Sequence, residues 1–185
     1  MRAKFLRWRM WISTMKVAEL MVEEVIACSP DDALNRAAQI MWENDCGCVP
    51  VVDRAARLVA MLTDRDVCMA AYTRGGTLKE IKVSAAMSSE LFACRPDDDL
   101  LVAQKMMRER QVRRIPVSDD TGRLVGILSL NDVARAIARK AVTKTAAADT
   151  LVKICAPHAH PDAAKPQATT RRNGNASNHE ASELT

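Results

Sequence analysis

Aromatic residues, histidines and long apolar runs are all scarce in this sequence of 185 residues, and each shortage excludes a class of protein. The longest uninterrupted apolar run, Val67–Tyr72, has six residues, far fewer than the ~20 that a membrane-spanning helix needs. Aromatic residues make up 3% of the chain, and all three histidines lie near its C-terminal end. The sequence contains no glycine-rich phosphate loop, and no serine or cysteine has a base nearby in sequence. We therefore predict neither a membrane span nor an enzyme.

The residues that are present suffice for one ordinary core. Apolar residues make up 48% and charged residues 27% of the chain, a composition that excludes global disorder and fibrous proteins. The six cysteines form no C-x-x-C pair, so we expect free thiols and a cytoplasmic location. The net charge of +4 comes entirely from residues 1–14, because residues 15–185 sum to zero. We therefore expect no nucleic-acid partner.

An internal duplication is the strongest signal in the sequence. Residues 17–72 align without a gap with residues 83–138, at an offset of 66. Of the 56 aligned pairs 22 are identical, where ordinary residue usage would give only about five. Neither copy has enough core to stand alone, so we expect the two to pack face to face about a pseudo-twofold axis.

Each copy is predicted to fold as β-α-β-β-α, which makes the protein α+β. A short strand, Val25–Cys28 or Leu91–Cys94, precedes a Pro-Asp-Asp sequence that is expected to open a helix. Two apolar strands joined by a polar turn follow, and a second helix then begins near Asp64 or Leu130. We expect exposed apolar helix faces that pair in a dimer, formed by Ile40, Met41, Met106 and Met107.

The predicted segments of the chain follow from the repeats and from the composition of the two ends. They are a basic leader (1–14), repeat 1 (15–74), a linker (75–82), repeat 2 (83–140), a short C-terminal helix (141–156) that packs Leu151, Val152 and Ile154 on the repeats, and a disordered tail (157–185). The leader alternates arginine with aromatic and apolar residues, which also fits a membrane-surface helix or an RNA-binding arm. The other interpretations are that the leader is disordered or weakly docked, or that it is not translated because Met15 also suits a start.

The two strand-to-helix junctions carry the candidate site. Thr63 and Asp66 stand three residues apart where a strand passes into a helix, and Ser129 and Asp132 repeat the arrangement. One interpretation is a helix cap, in which the hydroxyl accepts a backbone N–H and the acid complements the helix dipole. The other is a nucleotide site, because helix N-terminal amides with a hydroxyl bind phosphate and a carboxylate accepts ribose hydroxyls. The pattern alone leaves both open.

Longer stretches of both repeats make the pattern more specific. They are Val49–Asp53, Leu58–Val67, Gln111–Val117 and Gly122–Val133. With these stretches the chain, over about residues 16–140, resembles the tandem cystathionine-β-synthase (CBS) domain pair, in particular its small stand-alone bacterial members. The resemblance implies a regulatory module that binds AMP, ADP, ATP or S-adenosylmethionine between its repeats and requires no further cofactor. It also implies a homodimer that signals to an effector protein not identifiable from the sequence.

The same resemblance implies which residues bind the ligand. The ribose-binding acids are Asp66 and Asp132, each with its neighbouring hydroxyl, and the phosphate contacts are basic residues ahead of a proline strand. The whole implied set is Thr63, Arg65, Asp66, Arg113, Arg114, Ser129, Asn131 and Asp132, with Val49, Pro50, Ile115 and Pro116 flanking the adenine.

The repeats differ at positions that matter for such a site. Gly47-Cys48 stands in the first repeat where the second has Arg113-Arg114, and Ala60 stands where the second has Gly126. We therefore expect two unequal sites, one of which is empty or takes a less charged ligand.

Two alternative functions are a dimeric stress-response scaffold without nucleotide binding and a zinc- or thiol-linked redox module. Cys155, His158 and His160 are possible zinc ligands close together in sequence, with an incidental tail as the other interpretation. Cys46 and Cys48 lie near the predicted cleft, but the neighbouring Asp45 disfavours a thiolate there. We expect no required metal.

Overall fold

The computed structural model describes residues 15–138 and 144–156, and it confirms an α+β fold of two similar halves. The first half contains helix α1 (Leu34–Glu43), strands β1 (Cys48–Val52) and β2 (Leu58–Thr63), and helix α2 (Asp64–Arg74). The second contains α3 (Leu100–Arg110), β3 (Arg114–Ser118), β4 (Leu124–Ser129) and α4 (Leu130–Ala138), and α5 (Lys144–Ile154) follows. The predicted leader and the whole of the predicted tail lie outside the described residues.

Each half has an antiparallel hairpin, and the two hairpins share one register. Val49 pairs with Leu62 in β1–β2, and Ile115 pairs with Leu128 in β3–β4. The predicted leading strands Val25–Cys28 and Leu91–Cys94 are wrong in extent, because only Cys28 and Cys94 pair, each through one parallel bridge to its hairpin. The chain turns immediately after each of these cysteines, which ends the pairing.

The Pro-Asp-Asp sequences form turns ahead of the helices rather than opening them, which corrects the prediction. The carboxylate of Asp32 accepts the N–H of Ser29 at 2.7 Å, and α1 begins only at Leu34. The N–H of Leu34 donates to the carbonyl of Ile81 at 2.8 Å, and the N–H of Leu100 donates to that of Met15 at the same distance. A backbone carbonyl from a distant segment therefore accepts the first N–H of each helix, and neither helix has a side-chain cap.

Those distant segments are exchanged between the halves. The short 3₁₀ turn Val17–Glu19 lies against the second half, where Val17 N–H donates to Asp98 O at 2.9 Å. The equivalent turn Val83–Ala85 lies against the first half, where Val83 N–H donates to Asp32 O at 2.8 Å. Val17 is fully buried in the core of the second half, and Val83 is fully buried in the core of the first. Each core therefore includes a residue from the other repeat.

The predicted dimer faces are wrong, because most of their residues belong to the core. Ile40, Met41 and Met107 are buried and Met106 is half-buried, since α1 and α3 turn these side chains toward their own hairpins. The exposed apolar side chain on α1 is instead Trp42, which is 88% exposed.

Helix α5 packs on α3 and α4 of the second half. The Arg108 guanidinium donates to Thr150 Oγ1 at 3.0 Å, and Gln111 Nε2 donates to the carbonyl of Lys153 at 3.3 Å. Ile154 is buried in the second core, as expected. On the first half, the position equivalent to Arg108 is the exposed Trp42.

Two further side chains of α5 depart from the prediction. Leu151 and Val152 were expected to pack on the repeats, but both are exposed. Val152 lies on the side of α5 opposite to the buried Thr150 and Ile154, and Leu151 lies at the boundary between the two sides. Among the helices that the structure describes, none is long and apolar enough to cross a membrane.

Candidate functional site

The first strand-to-helix junction forms a complete capping box. Thr63 Oγ1 accepts the N–H of Asp66 at 3.2 Å, and Asp66 Oδ2 accepts the N–H of Thr63 at 2.9 Å and its hydroxyl at 2.7 Å. The cap interpretation is therefore correct for this junction. All of these contacts to the carboxylate use Oδ2, and no hydrogen bond from a described residue reaches Oδ1 of the half-buried Asp66.

The second junction has the same capping contacts, but both oxygens of its carboxylate have partners. Asp132 Oδ2 accepts the N–H of Ser129 at 2.8 Å and its hydroxyl at 2.5 Å. Here the other oxygen, Oδ1, is ion-paired with Arg135, and Asp132 is only 3% exposed. The first half has Met69 at the position of Arg135, so it cannot form the equivalent ion pair.

Each junction opens into a cavity that both halves build. The Asp66 cavity, of about 490 Å³, has Thr63, Arg65 and Asp66 on one side and Arg113, Arg114 and Pro116 of the second half on the other. Its apolar wall is formed by Met61 and Phe92, and Ile154 of α5 also reaches it. The structure thus pairs each acid with the proline strand of the opposite repeat.

The Asp132 cavity is the pseudo-symmetric counterpart and has a volume of about 430 Å³. Ser129, Asn131 and Asp132 face Cys48 and Pro50 of the first half. Arg114 also borders this cavity, and Cys48 is related to it by the offset of 66.

The two cavities differ in whether the arginines that line them are paired with a carboxylate. Arg65, Arg113 and Arg114 all line the Asp66 cavity, and within residues 15–138 and 144–156 none of the three forms an ion pair with a carboxylate. Glu90 and Asp64 also line that cavity, so it presents both donors and acceptors to a ligand.

Two of the predicted ligand residues lie elsewhere. Val49 and Ile115 are buried in the first and second cores and line neither cavity. Adjacent residues of a strand face opposite sides, so Pro50 and Pro116 turn toward the cavities while their neighbours turn inward.

The thiol of Cys48 is not activated. Burial raises the pKa of the Cys48 thiol to about 11, although the nearby Arg114 favours the thiolate. Cys48 is therefore protonated at neutral pH and a poor nucleophile. Cys46 donates to the Cys48 carbonyl at 3.4 Å, which holds the segment Cys46–Cys48 against the cavity rim.

The zinc interpretation receives no side-chain cluster from the described part of the chain. Cys155 is exposed at the end of α5, whereas His158 and His160 lie outside the described residues. Among the described residues, no group of three or more histidine, cysteine or acidic side chains is placed to hold a metal.

Sequence reasoning missed several lining residues. Phe92 lies in the Asp66 cavity with the Arg110 guanidinium 4.2 Å from its ring centroid, and Ile26 occupies the equivalent place in the Asp132 cavity. The offset of 66 pairs these two residues, so the repeat itself could have suggested them once one was known. Ile154 has no counterpart in the first repeat, so the duplication gave no signal for it.

A comparison with protein families matches the CBS domain at residues 17–72 and again at 79–139. The chain belongs to the CBS domain family. The two copies coincide with the duplication, so the two cavities lie between the halves of a tandem CBS pair.

Known CBS proteins resemble the chain over about two thirds of its length. CBS domain-containing protein YhcV of Bacillus subtilis is 36% identical over 118 residues, which are 64% of this chain and 82% of YhcV. The crystal structure of Hypoxic Response Protein I with two coordinated zinc ions is 30% identical, with a TM-score of 0.61, and the match covers 65% of this chain and 98% of that one. CBSX2 in complex with AMP is 24% identical, with a TM-score of 0.60, over 68% of this chain and 97% of CBSX2.

Proposed function

We propose that this CBS pair is a regulatory module of the cytoplasm that binds an adenosine nucleotide in the Asp66 cavity. One observation carries the proposal: Asp66 keeps Oδ1 open at a helix N-terminus, and Arg113 and Arg114 of the opposite repeat line the same cavity without an ion-pair partner among the described residues. A carboxylate acceptor and several cations in one cavity match the two ends of a ribose phosphate.

The cavity supplies a distinct group for each part of such a ligand. Asp66 Oδ1 accepts the ribose hydroxyls, while Oδ2 stays in the capping box. Arg113 and Arg114 bind the phosphate, and a flat base lies against the apolar wall of Met61, Phe92 and Pro116. The cap and the nucleotide site are therefore compatible, because they use different oxygens of one carboxylate.

The comparisons support the proposal at the level of the fold. CBSX2, a chain of the same fold, is in complex with AMP, and at 24% identity its likeness speaks for the fold alone. The ligand assigned to this chain rests on its own arginines and on Asp66, and S-adenosylmethionine or ATP are the alternatives of the same class.

Isothermal titration calorimetry of the full chain with AMP, ADP, ATP, S-adenosylmethionine and adenosine tests the proposal. We expect AMP-class ligands to bind and Asp66→Asn to weaken the stronger site at least tenfold. Asp132→Asn is the matched control, since it alters the equivalent acid of the other cavity and should leave the stronger site intact. Absence of heat with every ligand at millimolar concentration would falsify the proposal.

We propose that the module signals through protein contacts. Trp42 and Tyr72 are the most exposed aromatic side chains of the described residues, at 88% and 81%, and they offer a contact surface for a second copy or for an effector. Sedimentation velocity with and without AMP checks this part: we expect a dimer whose stability changes with ligand. Trp42→Ala should weaken that dimer, and an unchanged monomer in all samples would argue against it.

A further inference from the structure

Arg114 lines both cavities at once. It is the first residue of β3, and it borders the Asp66 cavity and the Asp132 cavity. Its pseudo-symmetric equivalent, Cys48, also lines both. The two positions therefore face each other across the axis between the sites, and only one of them carries a charge.

The two cavities depend on Arg114 to different degrees. The Asp66 cavity has Arg65 and Arg113 in addition. In the Asp132 cavity the other cation among the described residues is Arg135, which is committed to the carboxylate of Asp132. Asn131 and Gly47 stand where the Asp66 cavity has Arg65 and Arg113, so this cavity has no other free guanidinium for a phosphate among the described residues.

We propose that Arg114 is a shared phosphate ligand that makes the two cavities compete, so that phosphorylated ligands bind them anticooperatively whereas uncharged adenosine does not. The inference rests on the proposed nucleotide function. A phosphate in the Asp66 cavity draws the guanidinium to its side, because one planar guanidinium forms its bidentate hydrogen bonds with one phosphate at a time. The Asp132 cavity is then left with Arg135, which is paired with Asp132 and does not bind a second phosphate.

Thermodynamic linkage makes the effect reciprocal, and typical coupling between sites is about fivefold or more. We therefore expect AMP in either cavity to weaken AMP in the other by at least about fivefold. Adenosine, which has no phosphate, leaves Arg114 where it is and should show no coupling.

Calorimetry of the full chain measures this coupling. In the wild type we expect two AMP-binding steps, of which the second has the weaker affinity. Asp66→Asn weakens the Asp66 cavity, and the remaining AMP step should then be at least about fivefold tighter than the second step of the wild type. Arg113→Glu is a second way to weaken the same cavity, at an exposed side chain that the fold does not need, and it should give the same gain.

Arg114→Gln separates sharing from simple repulsion between two bound phosphates. If Arg114 is shared, this variant weakens AMP at both cavities and reduces the coupling toward onefold. Coupling that persists in Arg114→Gln would overturn the proposal, as would a remaining step in Asp66→Asn no tighter than the second step of the wild type. A complete lack of AMP binding to the wild type would overturn the proposed function itself, whereas two independent AMP sites would overturn the sharing alone.

Discussion

The two cavities of this protein have the same backbone and the same cap but not the same chemistry. At the Asp66 junction one carboxylate oxygen is open to a ligand, whereas at the Asp132 junction Arg135 takes the equivalent oxygen. The difference comes from single positions, Met69 against Arg135 and Gly47 against Arg113. The two copies therefore share the framework of the junction, and a few substitutions give their cavities different charges.

The comparison is tested most strongly by removing each acid in turn. Asp66→Ala should weaken AMP about a hundredfold, a loss of about 3 kcal/mol, because hydrogen bonds from ribose hydroxyls to a charged acceptor are lost. Asp132→Ala should leave the stronger AMP site within threefold while lowering thermal stability more, since it removes a buried carboxylate paired with Arg135. Calorimetry and thermal melting measure the two effects, and equal losses of AMP affinity would contradict the difference between the cavities.

A second test concerns the strand position that differs between repeats. A Cβ on Gly126 would lie 2.8 Å from Met21 Sδ and 3.1 Å from the Val22 carbonyl, so Gly126→Ala should lower the free energy of unfolding by about 2 kcal/mol. Ala60→Gly, at the equivalent position, should lower the free energy of unfolding by about 1 kcal/mol. The variant loses a buried methyl group, and glycine raises the conformational entropy of the unfolded chain. Urea denaturation measures both, and a neutral Gly126→Ala would show that Met21 can move aside.

A third test uses alkaline pH, to which the equivalent thiols should respond alike. Burial raises the pKa of Cys28 and of Cys94 from 9.0 to about 11. The folded state therefore holds these protons more tightly than the unfolded chain. The two thiols thus contribute fully to the free energy of unfolding below pH 9, and this contribution is lost as the pH rises through about 11. Cys94→Ala should reduce the loss of stability between pH 8 and pH 11 by about 1–2 kcal/mol.

Cys28→Ala should reduce that loss equally, and urea denaturation at several pH values measures it. The exposed Cys68 provides the control, because Cys68→Ala removes no buried thiol. Unequal effects of Cys28 and Cys94 would break the equivalence of the two cores.

The smallest expected effects concern the outer helix faces. Arg108→Ala removes the hydrogen bond to Thr150 that holds α5, and it should cost about 1 kcal/mol. Trp42→Ala, at the equivalent exposed position, should change the stability of the monomer by less than about 0.5 kcal/mol. Chemical denaturation at protein concentrations too low for dimerisation distinguishes the two variants, and a larger loss for Trp42→Ala under these conditions would contradict the exposure of its indole in the monomer.

The duplication explains why the position of both junctions could be predicted. One offset located both junctions, and the spacing of Thr63 and Asp66 indicated a cap that the structure confirms. The sequence could not show which oxygen of each acid remains open, because that depends on Arg135 one helical turn further on.

The errors share one physical origin, which is packing between segments far apart in sequence. The pattern of α1 predicted an exposed face at Ile40 and Met41, but local periodicity does not say which side a hairpin covers. The late start of α1 likewise depends on the carbonyl of Ile81, which no local capping rule includes.

The exchange of Val17 and Val83 between the halves also governs how the molecule folds and how it can be divided. Neither half can complete its core before the chain has closed a loop that spans a whole repeat, and such long-range closure favours slow folding. A fragment that ends between the repeats would lack Val83 and expose the surface that it covers. The two repeats should therefore unfold in a single cooperative step. A ligand that stabilises one half should also stabilise the other, because each core contains a segment from the other repeat.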